Sequence, residues 1–424
     1  MNDFYGVFII SCIAVLAPLL VRLPALALMP VVALELMLGV LVGPSVIGLV
    51  TSDETIKFLG ELGLVFLFFQ AGFEFKQNEI GLAPLRLGAL AWLASFGLAI
   101  VFVGALYFAG LVRAPLLVAL VLPTTAFGIL IPVLRQSGDL DSDFGHYVLG
   151  SAAMGELAPL ILASIALAQE KHHIHQTILS ILFLAIAVGT IFFLTTMRSE
   201  RLSEKIVNWL GDSEILPVRV SLLILLGFVA LANSFGVETV VGAYTAGMAV
   251  AMLVRGTKAE VLEDRLTTIG SGFFIPLFFV ASGVAFDLPA LVTSPASLAR
   301  FALFSLVLLV IRLAPLNLYK KALAERDLPA LALLSSTTLP LVVAITYLGV
   351  RSSQMAPENA TALVGAAIVT VTVYPALAFW LRTNPERTHP DGAIFAVSRS
   401  VADWFSAMAS RFLTLMPESL NLKK

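Results

Sequence analysis

The sequence predicts an all-α integral membrane protein of about thirteen transmembrane helices, with inverted-topology repeats and two crossed, discontinuous helices. Three observations predict it. Hydrophobic residues make up 59% of the 424-residue chain and charged residues only 13%, against about 25% charged in soluble domains. Thirteen apolar stretches follow one another along the chain, each close to the ~20 residues a span needs. A short motif recurs in the fifth and twelfth stretches, which run through the membrane in opposite directions.

In order, the stretches are Phe4–Leu23, Met29–Leu49, Ile56–Phe73, Leu85–Leu111, Ala114–Leu134, Phe144–Ala168, Ile178–Met197, Val218–Phe235, Glu238–Val254, Ile269–Ala285, Leu298–Tyr319, Ala330–Val350 and Ala362–Leu381. They are too long, and alternate too little, for the strands of a membrane barrel. The first has no basic segment before it and no small-residue cleavage site, so it reads as a retained helix. The single cysteine, Cys12, excludes a disulfide framework. A net charge of -2 gives no reason to expect nucleic acid as a partner.

Basic residues set the orientation. With the N-terminus outside, the inner loops carry 14: Arg22, Lys76, Arg86, Arg135, Arg198, Arg201, Lys205, Arg219, Arg255, Lys258, Arg265, Lys320, Lys321 and Arg326. The outer loops carry 5: Lys57, Arg113, Lys171, Arg300 and Arg351. The positive-inside rule then predicts N-terminus out and C-terminus in. Residues 198–217 and 255–267 read as polar connectors, the first with a surface helix. Residues 1–382 form the predicted transport domain and 383–424 a cytoplasmic tail. In that tail Val397, Val401, Trp404, Phe405, Met408 and Phe412 recur at helical spacing, the pattern of an amphipathic helix lying on the inner membrane face.

The repeated motif is Ala-Leu, three residues, then Thr-Thr. It appears as Ala119-Leu120 with Thr124-Thr125 and as Ala332-Leu333 with Thr337-Thr338, with Pro123 and Pro340 close by. Proline removes a backbone donor and breaks the helix. Broken backbone at membrane depth survives only when buried in protein or lining a wet cavity. Threonine hydroxyls can satisfy it, and can also coordinate a small cation.

Charged side chains inside spans cost at least ~2.5–3.5 kcal/mol, so each is a functional candidate. Glu156 lies near the middle of the sixth stretch, with no other acid within a dozen residues. A lone carboxyl there can hold a proton or a metal ion in turn. Arg312, deep in the eleventh stretch, cannot neutralise by losing its proton and needs a partner, for which Glu156 is the best-placed acid. The other reading has Arg312 snorkelling to the inner face. Glu35 and Glu61 are candidates to line an entry funnel or to pair with Arg312, whereas Glu74 and Glu238 fall at span ends. His172, His173 and His175 sit together in a short polar loop beside Lys171 and read as solvated, so no resident metal or cofactor is expected.

Four further stretches resemble the second family of monovalent cation:proton antiporters, the group of Kef-type and bacterial Na+/H+ exchangers. Leu38 to Leu49 is similar to the family's LGxLxGPxxLGL, Leu62 to Glu74 to LGLxxLLFxAGLE, Gly242 to Gly247 to GAFxAG, and Phe278 to Leu288 to FFxxxGxxxDL. The resemblance covers about residues 5–382. It implies thirteen helices, a homodimer, a six-helix core around two crossed broken helices, and elevator-like alternating access. It also implies that Glu156 occupies the place of the ion-binding aspartate and Arg312 that of an intramembrane basic residue. Gly155-Glu156 departs from the family's usual paired core residues, and one carboxylate makes one-for-one, electroneutral exchange the simplest stoichiometry. The second break carries Ser335-Ser336-Thr337-Thr338 in place of the Kef-type cluster.

The functional expectation is an Na+/H+ or K+/H+ antiporter in the plasma membrane. Glu156 is the shared site, Thr124, Thr125, Thr337 and Thr338 line it, and Arg312 stabilises the empty carboxylate. Alternatives are a cation-coupled symporter of an organic solute, for which Gly155 would make room, and a non-transporting sensor or channel. No HExxH, GxSxG or paired in-membrane aspartates point to an enzyme.

Overall fold

A computed structural model describes residues 3–22, 30–74, 80–112, 115–168, 182–183, 189, 215–253 and 257–383. The seventh stretch lies almost wholly outside these residues, as do the His172, His173 and His175 loop, the 198–214 connector and the tail. Every other predicted stretch coincides with a helix or a pair of half-helices.

The first bundle holds α1 (Asp3–Leu20), α2 (Val31–Val42), α3 (Glu54–Glu74), α8 (Leu216–Ser234), α9 (Thr239–Leu253), α10 (Thr257–Ile269) and α11 (Ile275–Val284). The second holds α4 (Leu82–Phe108), α5 (Pro115–Val121), α6 (Phe127–Ser137), α7 (Asp143–Ala168), α13 (Pro295–Leu313), α14 (Leu328–Ser335), α15 (Pro340–Arg351) and α16 (Pro357–Thr383). The short α12 (Leu288–Val292) joins the two, capped by the Asp287 carboxylate on the Ala290 amide at 3.0 Å. By length and composition eight described helices can cross a membrane, counting α10 with α11 and α14 with α15 as one each, and α1, α2 and α9 are shorter apolar helices.

Two predicted boundaries need correction. α2 stops at Val42, well before Leu49, because Pro44 cannot continue a helix. Most of the 255–267 connector is helical: α10 covers 257–269 and runs into α11 through a π-turn at Gly270–Phe274. Pro276 supplies the reason, since it offers no amide to the helix and its ring crowds the carbonyl four residues back, which an extra residue in the turn relieves.

The family-like stretches meet one another in the first bundle, through glycines. A Cβ added to Gly39 of α2 would lie 3.1 Å from the Gly283 Cα of α11. One on Gly63 of α3 would lie 2.8 Å from the Phe278 amide, one on Gly72 3.0 Å from the Tyr244 carbonyl carbon, and one on Gly247 of α9 2.8 Å from the Phe73 amide. Small residues let helix backbones touch where lipid gives no hydrophobic drive for association. Gly247→Val should therefore force α3 and α9 apart. The expected cost is about 1–3 kcal/mol, read as a lower midpoint in thermal unfolding of the detergent-solubilised protein, while a matched substitution at the open Gly97 leaves it unmoved.

One end of the second bundle is held by Arg382. Its guanidinium pairs with Asp139 and with Asp327 (Nε to Oδ1, 3.1 Å), and stacks 3.9 Å over the Phe144 ring. It thereby ties the C-terminal side of α6 and the N-terminal side of α14 to α16.

Candidate functional site

Both motif repeats interrupt a helix. Residues 122–126, containing Pro123, separate α5 from α6, and 336–339 separate α14 from α15, which starts at Pro340. The two breaks touch. The hydroxyls of Thr124 and Thr338 are 2.7 Å apart, the Ala126 amide donates to the Thr337 carbonyl at 2.8 Å, and the Thr125 hydroxyl donates to the Ser335 carbonyl at 2.6 Å. All four threonines are fully buried. Helix interruption orphans amides and carbonyls, and here each break satisfies the other.

The threonines are therefore occupied. Thr124 also bonds the Val121 carbonyl at 2.7 Å, and Thr337 bonds the Leu333 carbonyl at 3.1 Å. Thr370 of α16 completes the second break, accepting from the Thr338 amide at 3.1 Å and donating to its carbonyl at 3.0 Å. Sequence reasoning missed Thr370, which sits in an ordinary apolar helix without any local motif.

Glu156 reaches this crossing from α7. Its Oε2 accepts from the Phe127 amide at 3.1 Å, the first amide of α6. A carboxylate at a helix N-terminus is stabilised by the unpaired amides and the helix dipole. The side chain is half-buried, so the carboxyl is not sealed within the protein.

Arg312 is 2% exposed, which removes the snorkelling reading. Its hydrogen bonds run to the first helix break. Nη2 donates to the Pro123 carbonyl and, at 2.7 Å, to the Thr125 hydroxyl. The guanidinium thus plugs the orphaned end of α5. It still stands beside the acid: a Cβ on Gly155 would lie 3.1 Å from Nη2 and 2.7 Å from the Thr125 Cβ. The Thr125 amide bonds the Gly155 carbonyl at 3.0 Å. Glycine precedes Glu156 because Thr125 and Arg312 fill the space a side chain would take.

Glu35 and Glu61 lie elsewhere. Glu35 is 3% exposed within α2, so it lines no open funnel in this conformation. Glu61 of α3 pairs with Arg351 and accepts from the Tyr347 hydroxyl at 3.3 Å, bridging the first bundle to α15 of the second.

Comparison with known proteins agrees with this architecture. The family model for the transmembrane sodium/hydrogen exchanger matches residues 11–382. The chain is 27% identical over 376 residues to YjbQ, a candidate Na+/H+ antiporter of Bacillus subtilis, covering 85% of this chain and 60% of that protein. It is 27% identical over 279 residues to the Na+/H+-K+ antiporter GerN of Bacillus cereus, covering 61% of this chain and 66% of GerN. The chain thus spans less than two thirds of the length of either relative. The structure of the sodium proton antiporter MjNhaP1 from Methanocaldococcus jannaschii, at pH 8, superposes with a TM-score of 0.61 at 13% identity, covering 90% of this chain and 98% of that one, which shows the shared fold. With most of its length matched, this multi-pass membrane protein belongs to the sodium/hydrogen exchanger family, a family of transmembrane exchangers and not of enzymes.

Proposed function

We propose that the chain exchanges one monovalent cation, Na+ or K+, for one proton, with Glu156 binding each in turn. The carrying observation is the half-buried carboxylate held by the first amide of α6, at the meeting point of two broken helices. Arg312 supplies one fixed positive charge beside one titratable negative charge. Loading either a proton or a monovalent cation then changes the charge of the site by the same amount, which makes one-for-one, electroneutral exchange the natural stoichiometry.

The second bundle would carry the site across the membrane by an elevator-like movement against the first. The breaks, Glu156 and Arg312 all belong to the second bundle, and none of them to the first. The opposed breaks are read as an inverted-topology repeat. The family resemblance supports a homodimer in the plasma membrane, and the distribution of basic residues supports an outer N-terminus, a transport domain over 1–382 and a cytoplasmic tail over 383–424. Coupling to an organic solute loses its motive, because Thr125 and Arg312 fill the space beside Gly155.

Competition for one carboxylate is the test. In proteoliposomes with a trapped pH-sensitive dye, Na+ or K+ should discharge an imposed pH gradient. The apparent KM for the cation should rise as pH falls, approaching about tenfold per pH unit where protons dominate the site, at unchanged maximal rate. A KM independent of pH would exclude a shared site. Silence with both cations across the neutral range would remove the exchange reading itself.

A further inference from the structure

A cation at Glu156 needs oxygen ligands beyond the carboxylate. Alkali cations are held by oxygens that replace their water. The Thr124, Thr125 and Thr338 hydroxyls already take part in hydrogen bonds that hold the two breaks together. The facing bundle is in a position to supply a further ligand.

Tyr244 of α9 stands where that ligand is needed. The packing of α9 on α7 sets the register: Val240 of α9, with Glu238 just before the helix, lines one small cavity with Leu160 and Ala163 of α7. One turn along α9 from Val240 is Tyr244, and one turn back along α7 from Leu160 is Glu156. Residues four apart share a helix face. The phenol lies within electrostatic reach of the carboxylate. Its backbone is pinned, because Gly72 has no side chain and α3 rests directly on the Tyr244 carbonyl.

The phenol is largely enclosed, with Tyr244 6% exposed. Tyrosine hydroxyls inside a protein normally find a polar partner. Tyr347 has Glu61, and Tyr374 has the Ser305 carbonyl at 3.2 Å.

We propose that Tyr244 is a cation ligand supplied across the bundle interface, its phenol oxygen completing the Glu156 site in the conformation seen here. The proposal rests on the reading of Glu156 as the cation site. A core movement would strip this oxygen away, so cation affinity differs between the two access states. A proton needs no such ligand. Tyr244 therefore tunes cation affinity and selectivity, with no part in proton binding.

Tyr244→Phe removes one oxygen and keeps the ring. In proteoliposomes the apparent KM for Na+, K+ and Li+ should rise roughly tenfold, unequally among the three ions, with the maximal rate within about twofold. A parallel measurement follows cation-induced thermal stabilisation in detergent for the wild type, Tyr244→Phe and Glu156→Gln. It reads binding even where a variant transports poorly. Tyr244→Phe should shift the half-stabilising cation concentration upward by the same factor, and Glu156→Gln should abolish the stabilisation. Loss with Glu156→Gln and an unchanged midpoint with Tyr244→Phe would overturn this proposal alone. A reduced maximal rate at unchanged KM would overturn it too, leaving Tyr244 a packing residue. Full stabilisation in Glu156→Gln would overturn the site reading, and this proposal with it.

Discussion

Glu156→Gln should leave a folded protein in which cation no longer moves protons, with flux down more than about a hundredfold. The amide oxygen of glutamine can still accept from the Phe127 amide, so the contact at 3.1 Å survives in shape. The charge does not survive. A neutral amide cannot titrate, and it cannot balance a monovalent cation where water is largely excluded. The unfolding midpoint should hold or rise, because the membrane interior no longer contains an ionised carboxylate. Dye-reported proton flux and thermal unfolding on the same preparation separate these effects. Exchange near the wild-type rate in this variant would show that the transported ions bind elsewhere.

Arg312→Met is the second large effect, and it differs in kind. The guanidinium sits among the Pro123 carbonyl, the Thr125 hydroxyl and the missing side chain of Gly155. Methionine fills much of the volume but donates nothing. The end of α5 would keep a buried carbonyl without a donor, and Glu156 would lose its neighbouring charge. Breaking a buried charged contact costs about 3–5 kcal/mol. Both the unfolding midpoint and exchange should therefore fall together. Arg312→Lys keeps the charge but lacks the planar fork that reaches two acceptors. It should recover part of the flux at a midpoint still below wild type. A methionine variant that melts like the wild type would contradict the plug at the break. One that melts low but exchanges normally would remove Arg312 from the transport site.

Much of this molecule is legible along the chain. Long apolar stretches declare membrane helices because an unpaired backbone group in lipid costs several kcal/mol, leaving the helix as the only solution for a single segment. Pro123 and Pro340 mark where two of them break, since proline's missing donor is a local property. Glu156 and Arg312 stand out by the cost of their burial. What lies nearest them does not. A buried arginine needs acceptors, but carbonyl, hydroxyl and carboxylate all qualify, and the crossing of α5–α6 with α14–α15 brought the Pro123 carbonyl and the Thr125 hydroxyl within its reach. Thr370 and Tyr244 were illegible for the same reason: each looks like ordinary helix filling until the opposite helix is in place.

The sequence by itself determined the membrane class, the positions of the helices, the two interruptions and the residue types that can carry charge or protons, because these follow from periodicity, proline geometry and transfer energies within one segment. Only the tertiary structure decided which hydroxyls are consumed by the breaks, which carbonyls Arg312 plugs, why Gly155 has no side chain, and which helix faces Glu156. Those are contacts between segments far apart in the chain, and they depend on directions and distances of a few ångströms that no single segment encodes.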